Sequence, residues 1–311
     1  MLNTKDVRRA TCLFSWLFVA VVAMAQSDST AFMKKLCALN GISAVEKIKS
    51  NCFNEKYVMK IRQNVDGETA AKGTFDQRIV VGYRGEDRPP VLVTEGYYGD
   101  YALRESYEEE LSKMFNANIV FCEYRYFGES VPQPTNWDYM TVDNSLRDYH
   151  NVRSTFGKVF KGKWISTGIS KGGQTTMFYR ATYPDDVDVS VSYVAPLNRG
   201  VEDGRHEKFL ASKVGSKAER KAIVAAQQEF MKRKARMMPL FNEFCKKNKY
   251  QFYISNEDIY DYCVLEFPFA LWQWGTAVST IPSILDNDQT WFDYLMKMAS
   301  PDYFAYPNKY M

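Results

Sequence analysis

Lys163-Trp164-Ile165-Ser166-Thr167-Gly168-Ile169-Ser170-Lys171-Gly172-Gly173-Gln174-Thr175-Thr176-Met177-Phe178-Tyr179 is the stretch on which the reading of this sequence turns. Residues 163–167 carry the aromatic and β-branched pattern of a buried strand, and residues 173–180 open a helix. Between them stands a G-x-S-x-G pentapeptide, Gly168 to Gly172. In a strand, sharp turn, helix setting this pattern thrusts the serine hydroxyl above the end of a sheet, and the flanking glycines relieve the crowding of a strained turn. The pentapeptide alone is a weak signal, because a glycine-rich loop with an incidental serine satisfies it too. The strand before it and the helix after it weigh for Ser170 as a nucleophile.

Upstream, short β-branched and aromatic runs alternate with amphipathic helical stretches. Residues 57–62 and 75–83 read as an opening antiparallel pair, and residues 91–94, 118–124, 164–167 and 187–194 as parallel strands of a buried sheet. The spacing predicts helices over 102–115, 143–156 and 173–183, the last stopped by Pro184. Strand alternating with helix predicts an α/β fold, a mostly parallel sheet with helices on both faces. From Asp203 the texture changes: residues 216–238 are helical and dense in Lys and Arg, residues 250–274 are aromatic-rich, and no clear strand follows before Met311. The expected organisation is a leader at 1–25, the sheet core at 26–200 and a helical cap subdomain at 201–311.

An acyl-transfer nucleophile needs N–H donors aimed at the oxyanion of its tetrahedral intermediate. One comes from the residue after the nucleophile, here Lys171, and the other from the loop after an earlier strand. Val91-Leu92-Val93-Thr94 followed by Glu95-Gly96-Tyr97-Tyr98-Gly99 places such a loop at the right point, with the Tyr97 backbone N–H as second donor. Glu95 is unusual at the end of an apolar strand. It either hydrogen-bonds its own loop or faces the site as an anion, and the sequence leaves both open.

Glu123-Tyr124-Arg125-Tyr126-Phe127-Gly128-Glu129-Ser130, the elbow segment 164–173, Val194-Ala195-Pro196-Leu197-Asn198 and Thr94-Glu95-Gly96-Tyr97 together resemble the secreted bacterial tripeptidyl aminopeptidases. These are α/β-hydrolase serine peptidases related to the prolyl carboxypeptidase and dipeptidyl peptidase group. The resemblance runs over residues 57–275. It implies an α/β-hydrolase-like fold with a helical cap, an exopeptidase working on peptide substrates through an acyl-enzyme at Ser170, a Ser-Asp-His triad, and no cofactor. It also implies that an acidic residue near the elbow receives the free α-amino group of the substrate, and Glu95 is the position that carries this role over.

The histidines depart from that pattern. In such folds the chain order is Ser, then Asp or Glu, then His, the last two on loops after late strands. Only His206 follows Ser170, where the helical region begins, and His150 precedes it on an amphipathic helix. His206 with Asp203 as its orienter is one reading of the base; a charged helix start is the other, and chain order favours it. His150 reads as structural. The expectation is an incomplete family member (a fragment, a shortened reading frame or a degenerate relative) whose sheet is incomplete on the C-terminal side and whose activity in this form is doubtful. The alternative function is a non-catalytic secreted peptide-binding relative.

Composition narrows the rest. Hydrophobic residues at 46% and charged residues at 25% over 311 positions are globular values, with room for about two units of roughly 150 residues. Forty Lys+Arg against 37 Asp+Glu leave +3, two of it within residues 1–25, so nothing attracts nucleic acid. Two histidines exclude a multi-histidine metal centre. The basic run 217–234 is interleaved with Glu and Ala and reads as a solvated helix face. Lys5, Arg8 and Arg9, an apolar stretch at 10–25 and Ala23-Met24-Ala25 read as a cleaved export signal, which predicts a secreted or periplasmic protein with no membrane span after cleavage. Export sets the cysteines in an oxidising compartment, where Cys37 with Cys52 and Cys245 with Cys263 are spaced to close short loops. Cys122, inside an apolar run, reads as a buried thiol. The oligomeric state is not legible.

Overall fold

The computed structural model describes residues 30–200 and 202–305, and the expected leader at 1–25 lies outside them. The described chain forms two compact units that divide between Pro196 and Leu197. The first is built on a seven-stranded sheet of order β1-β2-β3-β5-β4-β6-β7. Its strands are β1 (Ile42–Ile48), β2 (Glu55–Asn64), β3 (Thr74–Tyr83), β4 (Pro90–Thr94), β5 (Asn118–Cys122), β6 (Ile165–Ile169) and β7 (Val189–Tyr193). The first three pair antiparallel, β3 meets β5 antiparallel, and β5, β4, β6 and β7 run parallel. This is the mostly parallel α/β sheet that the sequence predicts.

Burial explains the strand sequences. All five positions of β4 and of β5 are buried, so both strands read as near-continuous apolar runs instead of alternating ones. β7 pairs with β6 alone among the described strands and is partly exposed along its length. β1 escapes the sequence reading for a physical reason. A register shift between Ser43 and Glu46, with Ala44 at φ 50°, breaks its period of two, and the strand has no continuous buried face.

The helices of this unit are α1 (Ala31–Cys37), α2 (Glu110–Phe115), α3 (Val142–Phe156) and α4 (Lys171–Thr182). Thr141 caps α3 by accepting the Asn144 N–H, and the helix lays Leu146, Tyr149, Val152 and Phe156 on one core that includes Phe160 and Trp164. Each such side chain contributes about 1.5–3 kcal/mol by burial. The helix expected over 102–115 is broken. A 3₁₀ turn spans Asp100–Leu103, and α2 starts only at Glu110 because Glu109 is extended and its carboxylate caps the N–H groups of Leu111 (2.7 Å) and Ser112 (3.1 Å).

The second unit is helical: α5 (Arg205–Ser212), α6 (Lys217–Lys247), α7 (Asn256–Gln273) and α8 (Asp288–Met298), with no strand among its described residues. A Ser216–Glu219 capping box starts α6, which runs past the expected end at 238 and tolerates Pro239 because Phe241 and Cys245 continue its buried stripe. Phe230, Tyr260, Phe267, Leu271, Trp291 and Leu295 build the core between α6, α7 and α8. Arg233 ties α6 to α8 through Asp288 (3.0 Å) over the Trp291 ring.

The cysteine pairing expected from spacing is not present. Cys37, Cys52, Cys122, Cys245 and Cys263 are all free thiols, the last three buried. Sequence spacing fixes loop length but not the direction of the Cβ–Sγ bonds, which a disulfide requires. Cys37 lies exposed at the end of α1, while the Cys52 thiol faces the Ser106 carbonyl at 3.7 Å.

Candidate active site

Ser170 occupies the turn between β6 and α4 with φ 55° and ψ −118°, a region that non-glycine residues seldom enter. The strain is held from both sides: its N–H donates to the Tyr193 carbonyl at the end of β7 (3.0 Å), and its carbonyl accepts the Gln174 N–H in α4 (2.9 Å). Ser170 is exposed and its side chain does not cap the helix. The first N–H groups of α4, including that of Lys171, lie at the positive end of the helix dipole beside it.

The flanking glycines are required by close approach. A Cβ at Gly168 or Gly172 would lie 2.6 Å from the Thr94 carbonyl oxygen. The buried Thr94 hydroxyl donates to the Gly172 carbonyl (2.9 Å) and pairs with the Thr176 hydroxyl (2.6 Å). The ends of β4 and β6 and the start of α4 therefore meet backbone to backbone at the elbow, and a side chain on either glycine would separate them.

The loop after β4 is held by two buried polar groups, Tyr149 and Glu123, and a third, Arg125, braces α3 through Asp148. Tyr149 of α3 accepts the Glu95 N–H at its hydroxyl (2.8 Å) and lies 3.3 Å from the Cys122 carbonyl, so it joins the ends of β4 and β5. Glu123, fully buried after β5, accepts the Gly99 N–H (2.8 Å), the Glu129 N–H (3.1 Å), the Ser130 hydroxyl (2.7 Å) and the Arg78 guanidinium. Arg125 uses all five of its N–H donors, on both carboxylate oxygens of Asp148 (2.7 and 2.8 Å) and on the carbonyls of Val65, Tyr139 and Asn64.

Glu95 bonds its own loop, the first of the two roles left open by the sequence. Its carboxylate accepts the Tyr101 hydroxyl and the Gly96 N–H (3.2 Å), and the Tyr97 N–H also reaches it. Burial pushes the Glu95 carboxyl up to about 7, against the pull of the Tyr101 hydroxyl and the two N–H groups; the charge of Glu123 adds a smaller push. Glu95 is thus divided between acid and carboxylate near neutral pH. Gly96 packs against the Lys171 side chain, where an added Cβ would come within 2.5 Å of Lys171 Cβ, so Glu95, Tyr97, Ser170 and Lys171 gather at one place.

The two histidines belong to different units. His150 holds Asp186 through Nδ1 (2.7 Å) and stacks on Tyr183 at 4.3 Å, and the Tyr179 hydroxyl binds the same carboxylate. This is the structural role expected of it. His206 belongs to the second unit, and Asp203 does not orient it: the Asp203 carboxylate takes the Arg205 guanidinium (2.6 Å) and the Arg199 N–H (2.8 Å). Among the described residues no group of three His, Cys, Asp or Glu side chains could hold a metal ion, and no helix is long and apolar enough to cross a membrane. The sequence reading missed the parts played by Tyr149 and Thr94. A tyrosine on the apolar stripe of α3 reads as core, and nothing in the sequence shows what its hydroxyl meets.

The sequence profile of the PS-10 peptidase S37 family matches residues 25–294. The chain belongs to the PS-10 peptidase S37 family. Among characterised proteins, this S37 chain is 33% identical over 220 residues to the prolyl tri/tetrapeptidyl aminopeptidase of Streptomyces mobaraensis, covering 70% of this chain and 45% of that protein. It is 27% identical over 158 residues to the lysosomal Pro-X carboxypeptidase of Homo sapiens, covering 45% and 32%. The S37 chain thus spans under half the length of these relatives. Among solved structures, a serine hydrolase involved in carbazole degradation overlaps 47% of this chain and 50% of its own, with 18% identity and a TM-score of 0.32.

Proposed function

We propose that this S37 chain serves an exported serine exopeptidase that releases short peptides from free N-termini. Ser170 Oγ gives up its proton and attacks the carbonyl carbon of the scissile bond, the Lys171 and Tyr97 N–H groups hold the oxyanion, and the amine leaves carrying that proton. Water then adds to the acyl carbon, releasing the peptide acid and returning a proton to Ser170 Oγ. Glu95 receives the substrate's ammonium group. A carboxylate drawn toward that ammonium loosens its hold on the Tyr97 N–H, so amine binding and completion of the oxyanion site favour one another. The observation that carries the reading is the strained, exposed Ser170 at a strand-to-helix turn, beside the N-terminal N–H groups of α4. The basic leader, apolar stretch and small-x-small pattern at 1–25 support export.

A second reading, a non-catalytic peptide-binding protein, is favoured by the commitment of His150 to Asp186. One experiment separates the two. A fluorophosphonate probe should label the chain at Ser170, with labelling lost in Ser170→Ala. Absence of labelling, together with binding of free-amine peptides and not of their acetylated forms, would decide for the second reading.

A further inference from the structure

Lys171 does more at the elbow than supply an N–H. Its Nζ lies 4.6 Å from the ring centre of Tyr124, 4.8 Å from that of Tyr97 and 5.1 Å from that of Phe127. All three are within the range of cation–π attraction. The rings support one another, Tyr97 meeting Phe127 edge to face at 5.6 Å and Tyr124 meeting Phe127 at 6.1 Å. The lysine stem is pressed against Gly96, and the Tyr97 carbonyl accepts the Tyr124 N–H at 3.2 Å. Burial lowers the lysine's pKa, as expected of an ammonium surrounded by rings instead of water. One side chain therefore joins three segments: the loop at 95–99, the turn after β5 at 124–127, and the elbow.

We propose that Lys171 is a positioning residue: its ammonium, seated in the Tyr97–Tyr124–Phe127 cage, clamps the 95–99 loop to the elbow and sets the spacing between the Tyr97 and Lys171 N–H groups. The proposal rests on the serine-peptidase reading for its catalytic consequence but not for the clamp itself. Both donors sit on residues that the cage joins, so loosening it moves one relative to the other. A misplacement of about 1 Å at such a pair is enough to cost up to about a hundred-fold in rate.

The test uses the full chain with Lys171→Met, which keeps the stem and removes the charge, and Lys171→Arg, whose cation also seats on aromatic faces. Two quantities are measured: the second-order rate of fluorophosphonate labelling at Ser170, and hydrogen–deuterium exchange of segment 95–99. The methionine variant should label about ten-fold more slowly and exchange faster at 95–99, while arginine restores both. Unchanged exchange in the methionine variant would overturn the clamp even if labelling slows, because the charge would then act on the oxyanion directly. Failure of arginine to restore either quantity would also overturn it. If the wild-type chain does not label, the peptidase reading fails, and the exchange measurement still decides the clamp.

Discussion

Replacing Gly172 by alanine sets two effects of opposite sign against each other at the elbow. Gly172 is the second residue of α4, and alanine is favoured over glycine in a helix by about 1 kcal/mol. Against this, the added methyl would sit 2.6 Å from the Thr94 carbonyl oxygen and 3.5 Å from the Glu95 Cα. Those are backbone atoms of a strand held between β5 and β6, so they do not yield as a flexible side chain would. The helix must move instead. That movement stretches the 2.9 Å bond from the Thr94 hydroxyl to the Gly172 carbonyl, worth about 1 kcal/mol, and disturbs close packing at about 1–3 kcal/mol. The net expectation is a loss of about 1–3 kcal/mol, or roughly 3–10 °C in the melting of the first unit. Calorimetry can resolve the two units, and urea unfolding followed by fluorescence gives the free energy. Gly200→Ala is the control, since no atom lies within 4 Å of its added Cβ, and it should change stability by less than about 0.5 kcal/mol. A Gly172→Ala protein at or above wild-type stability would refute the reasoning, because helix propensity would then outweigh the contact.

Four further outcomes follow from buried groups. Folded Glu95 titrates at about 7 against an ordinary 4.5, so its stabilising contribution is complete below about pH 4.5 and is lost as pH rises through 7. Glu95→Gln should flatten the dependence of stability on pH between 5 and 8 by up to roughly 3 kcal/mol; parallel curves for the two proteins would contradict this. The same titration makes the carboxylate available above pH 7, so KM for free-amine peptides should fall between pH 6 and 8 while that for acetylated ones stays level. Glu123→Ala takes from the buried Arg78 cation the most buried of its three carboxylate partners, leaving Asp100 and Glu129, and removes the acceptor of the Gly99 and Glu129 N–H groups. It should cost about 1–3 kcal/mol in urea unfolding, and a loss under about 0.5 kcal/mol would refute this. In native protein a thiol reagent should modify Cys37 first and Cys52 next, and should spare Cys122, Cys245 and Cys263 until unfolding, since burial pushes those three thiols up.

Much of the parallel sheet was legible because β4 and β5 are short apolar runs buried on both faces, and because β6 is marked by the glycine-rich elbow that follows it. The antiparallel pair was legible from the β-branched and aromatic residues of β2 and β3. β1 and the interrupted helix near 100–110 were not, because a bulge at Ala44 and a capping carboxylate at Glu109 act over one or two residues and leave no periodic trace. At the site, Ser170 was legible from a pattern that a strained turn requires. Glu95, Tyr97 and Lys171 could be named, but their mutual arrangement could not. Whether Glu95 met its own loop depended on Tyr101, six residues on, and the Lys171 cage draws rings from two loops far apart in sequence. Charge and aromatic content report none of this, because both are satisfied through tertiary contacts.

Asp148, Tyr149 and His150 are consecutive on α3, and each is bound in a different direction: to Arg125, to the ends of β4 and β5, and to Asp186. Successive residues of a helix point about 100° apart, so a slip of one position would break all three attachments together, and no small slip would break just one. α3 therefore has no cheap partial motion. It opens as a cooperative unit or not at all, which places its amide hydrogens among the slowest to exchange and makes it the fixed reference against which the 95–99 loop can move.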